Sequence, residues 1–329
     1  MIKKYKNSII GALIVAFVLG IINIKVRLDG VKPMLLGERF LPDIGGWIEI
    51  VLISVYAAYI IHKMITTRNT AKWRKLTWTI FSVVFFTQLF LALLGFDMFL
   101  MKHSFHLPIP ALIIGGSVYN LNFGFMPILF LSTVILSGPA WCSQLCYFGA
   151  LDLQASSGLG KPEKIKNKAL LKSTFLIIVI TGAVLLRILN LSYLWTVLIA
   201  ASFGVVGIFV ILYYSRKKKM MYHCTTFCPI GTVLQYVKYI NPFRMYIEQS
   251  ACTLCMQCTP TCKYDALNPE DIKAGKPGLS CTYCGDCISS CHSSSIKYKF
   301  FNVKGQKAQN IWIVLTIVLH AIFLALARI

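Results

Sequence analysis

The chain has 329 residues, of which 57% are apolar and only 14% charged, with a mean hydropathy of +0.67. A soluble domain carries about a quarter charged residues, so this composition excludes a disordered chain and disfavours an ordinary water-soluble enzyme. Thirty-three Lys and Arg against twelve Asp and Glu give a net charge of +21, but the basic residues punctuate apolar runs. That pattern orients membrane proteins, and no nucleic-acid role is assigned to it.

A helix crosses a bilayer core with about 20 apolar residues. In chain order such runs cover 8–24, 46–65, 76–100, 123–142, 169–189, 193–214 and 310–327, about seven transmembrane helices. Lys3, Lys4 and Lys6 precede the first run, and no small-x-small cleavage site follows it, so it reads as an uncleaved helix. Three further basic clusters follow: Lys63, Arg68, Lys72, Arg74 and Lys75; Lys161, Lys164, Lys166, Lys168 and Lys172; and Arg216 to Lys219. With seven spans, the positive-inside rule puts all of them and the N-terminus in the cytoplasm and the C-terminus outside. The polar segment 248–300 is then cytoplasmic, and the expected location is a prokaryotic cytoplasmic membrane. The outer segment 101–122 is apolar but broken by Pro108, Pro110, Gly115 and Gly116, so it must fold back on the helices or lie at the interface.

Cysteine is the second anomaly, at twelve residues. Cys142 and Cys146 follow the fourth run in Cys-Ser-Gln-Leu-Cys-Tyr-Phe-Gly, and Cys224 and Cys228 follow the sixth in Cys-Thr-Thr-Phe-Cys-Pro-Ile-Gly. Both are C-x3-C with a glycine three residues on, and both fall at the cytoplasmic membrane face. Cysteines at i and i+4 share a helix face, so two such pairs can present four thiolates to one point. Two pairs of buried packing cysteines are the alternative.

The other eight cysteines form two C-x2-C-x2-C-x3-C cassettes, Cys252, Cys255, Cys258, Cys262 and Cys281, Cys284, Cys287, Cys291. Disulfides would need an oxidising compartment, and zinc sites use separated C-x2-C pairs, so the spacing points to iron–sulfur clusters. This segment resembles a bacterial-type ferredoxin with two 4Fe–4S clusters. The resemblance implies interlaced ligation, with Cys252, Cys255, Cys258 and Cys291 on one cluster and Cys281, Cys284, Cys287 and Cys262 on the other. Lys263 and His292 stand where that family usually has proline. With eight cysteines so used, the remaining four fit a third iron–sulfur site of open nuclearity.

The fold class expected is a polytopic α-helical membrane protein with an inserted cytoplasmic α+β ferredoxin domain. Its parts are a transmembrane domain over 1–246, the ferredoxin-like domain over 247–300 and a final transmembrane helix over 301–329. Paired C-x3-C(P) motifs followed by two ferredoxin cassettes resemble the membrane-bound polyferredoxins of the NapH/NosR type. Cys228-Pro229 keeps the family proline, whereas Tyr147 replaces it after Cys146. The resemblance implies electron transfer between a soluble carrier or partner subunit, the clusters and a membrane quinone, as in a quinol dehydrogenase component. A factor that reduces a metal during assembly of another membrane enzyme, and an iron–sulfur redox sensor, are the rivals. No acid, base and nucleophile set supplies a catalytic pocket. Gln88 and His320 fall near mid-span, where a polar group is a quinone contact, a proton step or a helix–helix hydrogen bond. His103 and His106 are a weak candidate pair for haem or metal, and His223 adjoins Cys224.

Overall fold

The computed structural model describes residues 2–67, 69–100, 109–121, 125–158, 162–190 and 192–326. The helices in its first part are α1 (Ile2–Leu28), α2 (Leu36–Phe40), α3 (Gly45–Thr66), α4 (Thr70–Leu93), α5 (Leu112–Asn120), α6 (Phe125–Ser137) and α7 (Tyr147–Ser156). Then come α8 (Lys168–Ile188), α9 (Tyr193–Val210), α10 (Arg216–Lys218), α11 (Pro229–Val237), α12 (Pro269–Lys273), α13 (Asp286–Ser289) and α14 (Gln306–Leu326). Strands β1 (Phe243–Ile247), β2 (Ile296–Phe300) and β3 (Val303–Lys304) form one small sheet.

Among the described residues, six helices are long and apolar enough to cross a membrane: Tyr5–Leu28, Gly45–Thr66, Thr70–Leu93, Lys168–Ile188, Leu194–Lys218 and Gln306–Leu326. Their outer faces expose large apolar side chains such as Phe17, Leu52, Phe90, Ile177, Val205 and Phe209, a surface suited to hydrocarbon. The expected span over 123–142 takes another form. Its helix is bent by 49° against α7, as a broken span or a re-entrant loop, so the total is six or seven. Gly138, at φ 55, and Pro139 interrupt the ladder there. The third span runs over 70–93 instead of 76–100. Asn69 caps it by accepting from Lys72 N–H at 3.2 Å, and Gly95, at φ 92, lies just past its end.

The chain divides into two compact units, Met1–His106 with Gln306–Ile329, and Leu107–Gly305. The first is a helical bundle in which α1 and α14 pack on α3. Val15, Leu19, Ala57, Ile61, Ile317 and Ala321 fill its core. Glu38, on α2, accepts from Arg27 at 2.6 Å and from Gly46 N–H at 2.9 Å, which pins α2 against the start of α3.

In the second unit, residues 112–120 of the segment expected to be irregular form α5, which folds back on α8. The small sheet has the order β1-β2-β3, and β1 pairs antiparallel with β2 from Phe243↔Phe300 to Ile247↔Ile296. The cysteine-rich segment lies between those two strands, so it belongs to the same compact unit as both C-x3-C pairs.

Candidate metal centres

The two C-x3-C pairs share one local design. Trp141–Leu145 and His223–Phe227 are single π-helical turns. Cys146 N–H donates to Trp141 O at 3.1 Å, and Cys228 N–H to His223 O at 2.9 Å. The expected α-helical i, i+4 geometry is therefore widened by one residue, a distortion that recurs at functional sites. The second cysteine then turns extended, at φ −87 and ψ 117 for Cys146 and φ −75 and ψ 118 for Cys228, and becomes the N-cap of α7 or α11. At that position each sulfur lies at the start of its helix, where the backbone amides of Phe148 and Gly149 act on Cys146 and those of Ile230 and Gly231 on Cys228, without a side-chain cap hydrogen bond. The unsatisfied amides of a helix start favour a thiolate. Pro229, at the first helical position, sacrifices no hydrogen bond. Gly231 is required for space: a Cβ there would lie 2.7 Å from Cys224 O.

The four thiols of these pairs are electrostatic neighbours. Cys142 feels Cys146 and Cys228, and Cys224 feels Cys146, Cys228 and Cys142. Cys142, Cys146 and Cys228 are buried. Asp152, fully buried on α7, accepts from Cys224 N–H at 2.9 Å and ties one pair to the other. Ser215 accepts from Tyr222 N–H at 3.1 Å and positions the second loop. Lys172, buried on α8, acts electrostatically on Cys142 and Cys228. Asp152 and Ser215 carry no motif, and Lys172 looks in the sequence like one more orienting charge.

The cassettes are also built in duplicate. Leu254 and Met256 of the first have φ 54 and 58, and the matching Tyr283 and Gly285 of the second have φ 56 and 80. Asp265 and Ser294, each three residues past the fourth cysteine, have φ 51 and 52. Left-handed residues alternating with ordinary ones curl the backbone so that N–H groups face inward, the kind of nest that receives iron–sulfur clusters. The electrostatic neighbours of Cys258 are Cys291, Cys255 and Cys252. Those of Cys287 are Cys284, Cys262 and Cys281, with the adjacent Asp286. The chain thus brings each fourth cysteine to the other cassette's triplet.

Burial pushes the thiols of Cys262, Cys281 and Cys287 up, so thiolates there would need a positive partner such as iron. Ala266 N–H donates to Cys262 Sγ at 3.3 Å. Cys291 differs: burial pushes its thiol up, but hydrogen bonds from Ser295 and Ser293 outweigh this and lower it. Lys263, in the place of the family proline, instead donates to Lys219 O at 2.9 Å and Ser156 O at 3.3 Å. Among the described residues, no three His, Cys, Asp or Glu groups are close enough to grip one metal ion. Four thiolates around one zinc lie about 3.8 Å apart, given Zn–S bonds of about 2.3 Å, whereas a polynuclear cluster holds its ligands wider. Soft thiolate donors with inward N–H groups fit such a cluster.

A family model described as "4Fe-4S binding domain" matches residues 120–155 and 197–244, the two segments that carry the C-x3-C pairs. The chain is an iron–sulfur protein. An uncharacterized protein of Methanocaldococcus jannaschii is 23% identical over 182 residues, which are 52% of this chain and 69% of that relative. No solved structure matches. The matched segments are the less conspicuous of the cysteine motifs, and the duplicated π-turn is the feature they share.

The sites meet through hydrogen bonds. Tyr264, two residues past Cys262, donates its hydroxyl to Cys142 O at 3.3 Å. Ser143 donates to Thr282 O, beside Cys281, at 3.4 Å. Both contacts come from the Cys262/Cys281 side, whereas Cys255 of the other set is exposed. His320, in the first unit, lies 3.1 Å from the Tyr56 hydroxyl in a helix–helix hydrogen bond. Gln88 is buried on α4. His223 packs among the rings of Phe148 and Phe227. His103 and His106 lie outside the described residues.

Proposed function

We propose that the protein is a membrane-bound one-electron relay with three iron–sulfur sites. Cys252, Cys255, Cys258 and Cys291 would hold one 4Fe–4S cluster, and Cys262, Cys281, Cys284 and Cys287 a second. Cys142, Cys146, Cys224 and Cys228 would hold the third, at the cytoplasmic membrane face. The observation that carries this reading is the direct hydrogen bonding of Tyr264 to Cys142 and of Ser143 to Thr282, which joins the third thiol set to one cassette set within a single compact unit. Iron–sulfur clusters supply one-electron chemistry, and the protein supplies spacing, burial and access. The exposed Cys255 loop is the natural face for a soluble carrier or partner subunit, and the membrane-face set is the natural neighbour of a quinone. The three basic clusters support an N-in orientation with the cassettes in the cytoplasm.

Metal content tests this reading. Anaerobically purified protein should carry about eight iron for the cassettes and about two to four more for the third site. Zinc in place of iron would overturn the cassette assignment. Iron at only eight would remove the third polynuclear site, and with it the relay to the membrane face.

A further inference from the structure

Helix α8 is apolar on its outer faces, with Leu170, Ile177, Leu185 and Ile188 exposed, yet a lysine is one of its two buried residues, the other being Ala183. Lys172 is 4% exposed. A lysine near a helix end in a membrane ordinarily stretches its ammonium to the interface, so burial here needs a cause. Its hydrogen-bond partner is neutral: Nζ donates to Gln235 Oε1 at 3.1 Å, and its carbonyl accepts from Thr232 at 3.3 Å. Among the described residues no carboxylate pairs with it. The nearby cations add repulsion, and each has its own partners: Lys168 pairs with Asp265 at 2.9 Å, and Lys238 donates to Leu279 O at 2.6 Å and to Gly278 O. Cys142 and Cys228, one from each C-x3-C pair, are near enough that their thiolate forms would favour the Lys172 ammonium. Gln235 and Thr232 lie on α11, which follows directly from Cys228, so these two bonds fix Lys172 against the helix that carries one of the four cysteines.

We propose that Lys172 is the positioned counter-charge of the site formed by Cys142, Cys146, Cys224 and Cys228. A thiolate-ligated cluster is anionic and becomes more so by one charge on reduction, so a fixed ammonium beside it stabilises the reduced state and raises its potential. The inference rests on the third site of the proposed function and adds what sets its potential. It also explains why a lysine is tolerated on the buried face of this span.

The test is an electron paramagnetic resonance redox titration of the full-length protein, purified anaerobically, as wild type, Lys172→Met and Lys172→Arg. Lys172→Met should lower the reduction equilibrium constant of the third-site signal tenfold or more, about 59 mV for one electron. The cassette signals should move much less, and Lys172→Arg should stay near wild type. Loss of third-site iron in Lys172→Met with retention in Lys172→Arg would equally support a counter-charge. An unshifted signal in Lys172→Met would overturn the proposal, as would equal shifts or losses in both variants, which mark packing rather than charge. Wild-type protein with only eight iron would overturn the third site itself, so the iron assay separates that failure from a failure of Lys172.

Discussion

Cys146 and Cys228 do two things at once: each closes a π-turn and each stands at the N-cap of the next helix, beside that helix's first amides. A residue with both duties leaves little room around it, and Gly231 shows how little. Gly231→Ala would force a Cβ to within 2.7 Å of a backbone carbonyl, which cannot swing aside as a side-chain tip would. Such overpacking costs about 1–3 kcal/mol, concentrated in the Cys224–Cys228 loop. The expected outcome is an iron content near that of the cassettes alone with the cassette spectrum retained. Gly182→Ala, where nothing lies within 4 Å of the added carbon, should keep full iron. Full iron in Gly231→Ala would show that the loop tolerates the shift. The glycine was visible in the sequence as a repeated feature of both motifs, but its reason was not, because the atom it avoids belongs to Cys224. Lys172 was misleading for the same reason. Hydropathy ranks it with the orienting lysines, and only the packing of α8 on α11 shows that it points inward.

At the scale of elements, the cassette segment is two copies of one wrap, joined by pairing β1 with β2 on either side of it. That pairing brings the end of the second cassette beside the start of the first, which is what crossed ligation requires. The account therefore expects Cys258→Ser and Cys291→Ser to remove or alter one and the same spectroscopic species, and Cys262→Ser and Cys284→Ser the other. Loss of the same species by Cys258→Ser and Cys262→Ser would mean that each cassette closes on itself. The cassettes were legible because their spacing is local: triplets at two-residue intervals define a wrap within seven residues. The helices were legible only in their apolar centres. Their ends are set by single groups, such as the Asn69 cap and the glycines at 95 and 138, which a hydropathy window averages away. Helix α5 was missed because its glycines and flanking prolines read as breakers, whereas packing on α8 compensates for their weak propensity.

For the whole molecule, composition indicated a membrane protein and the structure supplies the surface to match, with long helices whose exposed sides are apolar. The division into compact units was not legible. The cassettes look like a separate polar insertion in the sequence, yet they share a unit with α5 to α11 through Tyr264, Ser143 and Lys263. That shared unit is the core of the relay account, because it places a thiol pair from each of two helix ends beside a cassette. The most direct measurement is electron paramagnetic resonance of anaerobic full-length protein carrying Cys142→Ser, Cys224→Ser, or both. The account predicts that each single variant abolishes or perturbs the same third signal, that the double loses little more, and that both cassette signals persist. Two independent signals removed by the two singles, or no change in any iron signal, would contradict it.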